Sequence, residues 1–449
     1  MKKPSLFLGV LLACPVFGGG FQAGVARVDI TPNLPFWLTG YASRSQPATN
    51  VVQRIAAKGL ALEDPTGSRF VLVTADLIGI PATICDAAAE RVERITGLKR
   101  SQVLFNASHT HAGPVVWSNL QVMFDLNAAD QARAEAYARG LVTQLSDVAT
   151  QAVARLAPAR VSFAEGEIGF ATNRRQFTGN GVRIGVNPAG PMDHTVPVLK
   201  VASPEGGLQA VVFGYACHNT TLGGDCYSVH GDYAGQAQAA LETAHPGVNA
   251  MFLMLCGGDQ NPHPRGTFAL AEEHGRALAT EVDRVLDQPM RELQPPVRTA
   301  FETLSVDFAP HTRETFAEEA QSNDVFRQRR ARMMLDAYDR GEPVQQLDYP
   351  VQAVRLGPDF TLLALAGEVV VDYALRAKRE FRGEGNLVVA GYCNDVACYI
   401  STARVIREGG YEPVSSMIYY GKPGPLADTA EETIMVGARK VLAEVGWTP

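Results

Sequence analysis

The chain has 449 residues, of which 46% are hydrophobic and 19% charged, and its formal net charge is −7. That balance describes a globular protein with ample core, which excludes a disordered chain, and the acidic total without a basic stripe argues against nucleic acid as a partner. Beyond the amino terminus, no stretch reaches the roughly 18 apolar residues of a membrane-spanning helix.

Lys2 and Lys3 precede an apolar run from Leu6 to Phe17, followed by Gly18-Gly19-Gly20. A positive start and a short apolar core read as an export signal over residues 1–20. The mature chain is therefore expected to be secreted, periplasmic or in the cell envelope. The stretch "LLAC", 11–14, also resembles a lipoprotein cleavage box with Cys14 as the lipidated residue. Membrane contact is expected only through such an anchor or through the substrate. In an oxidising compartment Cys217 with Cys226, and Cys393 with Cys398, are locally spaced pairs able to form bridges. Cys85 and Cys256 read as buried apolar thiols.

In chain order, "SRFVLVTADLIGI" (68–80) predicts a buried strand leaving toward a loop. Residues 82–97 predict a helix with Ile84, Ala88, Val92 and Ile95 on one face, ended by Gly97. "SQVLFNASHTH" predicts the next strand, and a long helix follows from about Ala128 to Leu156, capped near Asn127. Residues 207–218 and 248–259 predict core strands, 271–286 a helix, and 286–298 a linker. A charged helix is expected over 317–340, with the "RQRRAR" run (327–332) as its solvated face. Residues 360–368 and 386–395 predict two more strands. The fold class is α/β, with mixed β-sheets flanked by helices, and there is no internal repeat.

Polar clusters stand where apolar strands end: "SHTHAGP", "CHNTTLGGD", "CGGDQNP" and "AGE". In α/β sheets, ligands bind beyond the carboxyl ends of strands, so these four ends predict one composite site. Alternate residues of a strand share a face; if the strand persists, His109 and His111 aim at one spot. Zinc favours His nitrogen and carboxylate oxygen, and a catalytic zinc keeps a position open for water. His109, His218 and Glu368 supply such a set. Motif order excludes two metallohydrolase families. A metallo-β-lactamase needs an Asp and a further His soon after His-x-His, where Ala112-Gly113-Pro114 stands; a binuclear metallophosphoesterase needs an earlier Asp-x-His. Asp76 reads either as a hydrogen-bonding support to a ligand or as a strand-end cap, and His230 as a pocket or a loop residue. Asp259 follows two glycines that allow close backbone approach, whereas His245, His274 and His311 read as structural or exposed.

The stretches "ARVDITP" (26–32), "LTGYASR" (38–44), "ASHTHAGP" (107–114), "TNRRQF" (172–177), "ACHNTTL" (216–222), "GGDQNP" (257–262) and "LAGEVV" (365–370), with Tyr399 in "CYIST" and Tyr411 in "GGYEP", lie in one order along the chain. In that order the chain resembles the catalytic region of neutral/alkaline non-lysosomal ceramidases. The resemblance implies one Zn2+ per chain held by His109, His218, Glu368 and Tyr399. It implies that His111 contacts the substrate and the reacting group, that Arg174 is an active-site arginine, and that Tyr411 faces the substrate. The implied reaction is hydrolysis of the amide of an N-acylated, sphingolipid-like substrate by a metal-activated water. Zinc brings the pKa of bound water to about 7, and a nearby His is suited to protonate the leaving nitrogen.

Two departures bear on the substrate. Asn261 stands where the family has an active-site serine, and an amide cannot be a nucleophile. Residues 22–449 are expected to form one catalytic domain, without the further β-sandwich domain that the resemblance implies for the family. The alternatives are a binding protein on the same fold that has lost chemistry, or a hydrolase of esters or other amides.

Overall fold

The computed structural model describes residues 20–447; the export signal and Cys14 fall outside them. Strand-forming apolar runs build two main sheets, beside four two-stranded ribbons. The first has nine strands in the spatial order Asn249–Met254, Leu208–Tyr215, Thr195–Ala202, Ala157–Glu167, Phe21–Asp29, Ala56–Glu63, Arg69–Ala75, Val103–Ala107, with Arg291–Glu292 beside Ala157–Glu167. Its pairings are antiparallel except at the two edges, where Arg69–Ala75 runs parallel to Val103–Ala107 and Leu208–Tyr215 parallel to Asn249–Met254. The second sheet orders Val297–Asp307, Gln346–Leu356, Phe360–Leu365 and Asn386–Ala390, the last pair parallel.

The two sheets face each other through Leu60, Leu62, Phe70, Leu72 and Phe163 on one side and Val354, Phe360, Leu362 and Val388 on the other. The strands Ala56–Glu63, Arg69–Ala75, Val103–Ala107 and Phe360–Leu365 are buried on both faces, which is the physical reason they read as continuous apolar runs. Helices cover the outer faces. Ala82–Thr96 and Ala128–Ala154 bury Ile84, Ala88, Val92, Leu141 and Val148, and Val371–Glu380 and Ala430–Glu444 bury Tyr373, Ile434 and Val441. The expected mixed α/β architecture is present. The Asn127 cap accepts from the Ala129 and Asp130 amides, and Gly97 ends its helix at φ 77°.

Several expectations need correction. Ile95 is 58% exposed, so the first helix buries a narrower stripe. The charged helix is two, Arg313–Glu319 and Val325–Asp339, because Asp324 turns its carboxylate onto the Phe326 and Arg327 amides and starts a new helix. Arg330 of the basic run is buried against Glu319. Residues 286–298 are no free linker, since Arg291–Glu292 joins the large sheet and Leu293 is buried. Cys217, Cys226, Cys393 and Cys398 are free thiols. The Cys217 and Cys226 sulfurs turn to different carbonyls, those of His218 and Ser228, and Cys393 turns to Gly391 O.

The large sheet curls until its opposite edges meet. There the Asn106 side chain acts as a ladder residue: Met254 N donates to Asn106 Oδ1 at 2.9 Å and Asn106 Nδ2 donates to Met254 O at 3.2 Å. The strand ends that carry His109, His218 and the 257–261 loop are thereby drawn to one place.

Candidate active site

The strand Val103–Ala107 ends before the histidine pair, and His109 adopts φ 65°. A left-handed turn, rather than strand alternation, therefore brings the two imidazoles together. His109 N donates to Leu77 O at 2.8 Å and His111 N to Asn219 O at 3.2 Å, which fixes the turn against two neighbouring loops. Gly40 allows the closest approach: a Cβ there would stand 2.4 Å from His111 Nδ1. Gly258 does the same behind the site, where a Cβ would meet Glu368 O at 2.7 Å.

The Nδ1 atoms of His109, His111 and His218 face the carbonyl oxygens of Ile78, Gly40 and Gly257. A carbonyl only accepts, so each Nδ1 carries the proton and each Nε2 presents a lone pair. Those Nε2 atoms converge. His109 and His111 meet at 3.0 Å, Glu368 Oε2 lies 3.0 Å from both His109 and His218, and Tyr399 Oη lies 3.0 Å from His218. Facing lone pairs repel unless a cation lies between them. Imidazole, carboxylate and phenol oxygen together form a donor set that suits zinc. The three histidines alone have donor atoms within 4.8 Å of one another, and His111 is as close to His109 as Glu368 is. Burial, helped by His109 and His218, holds the His111 pKa well below the usual value. Burial, then Arg174, lowers that of His218 to about 3, so both rings stay neutral.

Arg174 is placed by the short pairing of Ala171–Asn173 with Gln260–Pro262. Its Nη2 donates to Tyr399 Oη at 2.9 Å, its Nη1 to Asn261 Oδ1 at 3.3 Å, and its Nε to Glu412 Oε1 at 2.9 Å. Burial pushes the Tyr399 phenol well up and Arg174 opposes it. The Tyr411 ring lies 5.6 Å from that of Tyr399, and the Arg174 guanidinium carbon lies 5.6 Å from the centre of the Tyr411 ring. All eight residues singled out from the sequence thus lie in one connected cluster, in which His111 and Tyr411 are partly exposed and mark the side open to solvent.

Tyr420 and Tyr392 went unnoticed in the sequence. Tyr420 Oη donates to Glu368 Oε1. The Tyr392 ring lies 4.5 Å from that of His109. Tyr392 follows the strand Asn386–Ala390, a fifth strand end that the motif pattern offered; Tyr420 sits in an unremarkable "SMIYYG". Other residues fall behind the cluster. Asp76 accepts from Ala56 N and Gln238 Nε2, which is the strand-end cap. Asp259 accepts from Val371 N and Asn173 Nδ2. His230 accepts from Asp232 N and pairs with Gln236.

The profile of the family described as "Neutral/alkaline non-lysosomal ceramidase, N-terminal" matches residues 21–281. The neutral ceramidase of Pseudomonas aeruginosa is 24% identical over 284 residues, which are 58% of this chain and 41% of that protein. That of Drosophila melanogaster is 24% identical over 288 residues, 58% of this chain and 38% of its own length. The matched region is thus less than half of either relative. The crystal structure of the Pseudomonas aeruginosa neutral ceramidase superposes with a TM-score of 0.72 at 19% identity, covering 95% of this chain and 74% of that one. A ceramidase structure complexed with C2 gives a TM-score of 0.74 at 19% identity, covering 95% and 75%. These structures share the fold, and on the profile match over more than half its length the chain belongs to the neutral/alkaline non-lysosomal ceramidase family.

Proposed function

We propose that the protein is an exported or envelope zinc-dependent hydrolase that cleaves the amide bond of an N-acylated substrate. The observation that carries this reading is the convergence of Nε2 lone pairs with the Glu368 and Tyr399 oxygens, each imidazole held by a backbone carbonyl on its far side. In this reading His109, His218, Glu368 and Tyr399 hold one zinc. When bound, the metal supplies Lewis-acid activation of an attacking water at neutral pH.

The chain's own groups divide the remaining work. His111, partly exposed and held through Nδ1 by Gly40 O, is placed to take the proton of the attacking water on its Nε2 lone pair and hand that proton to the leaving nitrogen. Arg174 brings a fixed positive charge toward the carbonyl oxygen as charge develops on it. Tyr411 lines the open side. Asn261 orients Arg174 and can hydrogen-bond substrate, but no nucleophilic hydroxyl stands at its position. The fold of the family and the amide-cleaving neutral ceramidases it resembles support this chemistry.

The test is zinc content of the purified protein together with a hydrolysis screen over N-acyl amides and matched esters, with and without chelator. About one zinc per chain and chelator-sensitive amide cleavage are expected. Metal-free protein that still hydrolyses amides, or ester cleavage alone, would overturn the reading.

A further inference from the structure

Two routes lead outward from the site; one reaches Arg265 through hydrogen bonds, and the other reaches Tyr41, on which the Arg265 charge acts. The first runs from Arg174 through Asn261 to Thr220. Asn261 Oδ1 accepts from Arg174 Nη1 and from Thr220 Oγ1, each at 3.3 Å, and Arg265 Nη1 donates to Thr220 Oγ1 at 3.4 Å. The second runs from His111 to Tyr41, whose ring centroids are 5.0 Å apart. Burial pushes the Tyr41 phenol up to about 12, and the largest influence against it is the charge of Arg265.

The Arg265 loop is held on both sides. His274 Nε2 donates to Pro264 O at 2.7 Å, and Gly266 N donates to Thr221 O at 2.7 Å. Arg265 itself is exposed and has no carboxylate partner among the described residues. Asp232, the carboxylate that acts on Tyr41, is fully buried and already taken by the Thr221, Leu222 and Tyr233 amides. Across the Tyr41 ring lies Arg44, with its guanidinium carbon 5.1 Å from the ring centre. Arg44 is 6% exposed and donates only to the carbonyls of Thr39 and Cys226. In a chain of net charge −7, neither guanidinium forms an ion pair among the described residues, and Asp225 acts on Arg44 only from beyond ion-pair distance. A guanidinium fork matches a carboxylate in geometry as well as charge.

We propose that Arg265, with Thr220 beside it, is the binding site for an anionic group of the substrate, so that the preferred substrate is an N-acyl amide bearing a carboxylate, of the N-acyl amino acid class. This rests on the amide-hydrolase reading and gives it a substrate class different from a neutral N-acyl sphingosine. Asn261 belongs to the same arrangement. By accepting from both Arg174 and Thr220 it links the reacting centre to the anion site, a link that a shorter serine side chain would not span in the same way.

The experiment uses two probes that differ only in charge, N-lauroylglycine and N-lauroylglycinamide, with a short-chain N-acyl sphingosine as a third. Binding by calorimetry and turnover are both measured, on wild type and on Arg265→Gln and Arg265→Lys. Wild type is expected to favour the carboxylate over the amide by about 10-fold or more, the scale of one charge-assisted hydrogen bond. Arg265→Gln should erase most of that ratio and Arg265→Lys restore part of it. A loss of folding or of general activity would lower both probes alike and leave the ratio intact, which would overturn the inference. Equal binding of the two glycine probes by wild type, or preference for the sphingosine, would overturn it too. Charge-selective binding without hydrolysis would support the anion site while removing the hydrolase reading. Hydrolysis without charge selection would do the reverse.

Discussion

Glu412 lies between Arg174 and Arg175 and gives one carboxylate oxygen to each: Oε1 accepts from Arg174 Nε at 2.9 Å, and Oε2 from Arg175 Nη1 at 2.6 Å. The side chains of all three are at most 4% exposed. Arg175 opens the hairpin Arg175–Thr178 with Gly181–Ile184, and Glu412 belongs to the same turn as Tyr411. One carboxylate thus fixes Arg174 against Tyr399 and ties two separate elements to the site.

Removing one partner of a buried ion pair leaves the other charge uncompensated, a loss of roughly 3–5 kcal/mol. Glu412→Gln should therefore unfold at clearly lower denaturant concentration. Because the freed Arg174 loses its orientation toward Tyr399, turnover in the still-folded protein should fall by about 10- to 100-fold. Denaturant unfolding and turnover measured below the transition separate the two effects. Wild-type turnover in folded Glu412→Gln would show that Arg174 needs no such support.

His109 and His111 should respond differently to truncation although their Nε2 atoms meet at 3.0 Å. His109→Ala removes a proposed metal ligand and should yield zinc-depleted, inactive protein. His111→Ala keeps the four proposed ligands, so zinc should stay near one per chain while the rate falls by about 10²–10⁴. Elemental analysis of both variants decides. Equal zinc loss would place His111 among the ligands, an arrangement the short distance also allows.

The strand ends were legible in the sequence because buried strands are apolar runs and the polar residues after them are few. His109, His218, Asn261 and Glu368 each follow such a run, and the curled sheet brings those ends together. The turn at His109 was not legible: its left-handed backbone is set by Leu77 and Ile78 from another segment, and nothing local forces it. Glu412 and Tyr420 were hidden for the same reason. Each matters through a partner more than 50 positions away in the chain. The absent Cys217–Cys226 bridge was a question of side-chain direction, which spacing does not encode.

Tyr420 donates its hydroxyl to the Glu368 oxygen that faces away from the histidines. Such a bond holds a metal-binding carboxylate in one orientation, and losing it typically weakens metal affinity by about 10- to 100-fold. Tyr420→Phe keeps the ring and its packing near Tyr399. The variant should fold normally and release zinc to a weaker chelator than wild type does. Unchanged zinc affinity would mean that packing alone orients Glu368.

His230 supplies a pH test of stability. It is 1% exposed, and its Nδ1 accepts from the Asp232 amide at 2.8 Å, a bond available only to the neutral ring. Burial lowers its pKa from 6.5 to about 4. The folded pKa lies below the unfolded one, so between these values the unfolded chain binds the extra proton. The stabilising effect of the neutral ring is complete above pH 6.5 and is lost as pH falls toward 4, by roughly 3 kcal/mol in all. His230→Gln keeps an acceptor for Asp232 N but cannot take a proton. Unfolding free energies of wild type and variant, measured from pH 7.5 down to 4.5, should therefore converge in the variant's favour as the solution becomes acid. Every other titrating group is common to both proteins and drops out of the difference. A difference that stays constant across that range would show that His230 is not held neutral by its surroundings.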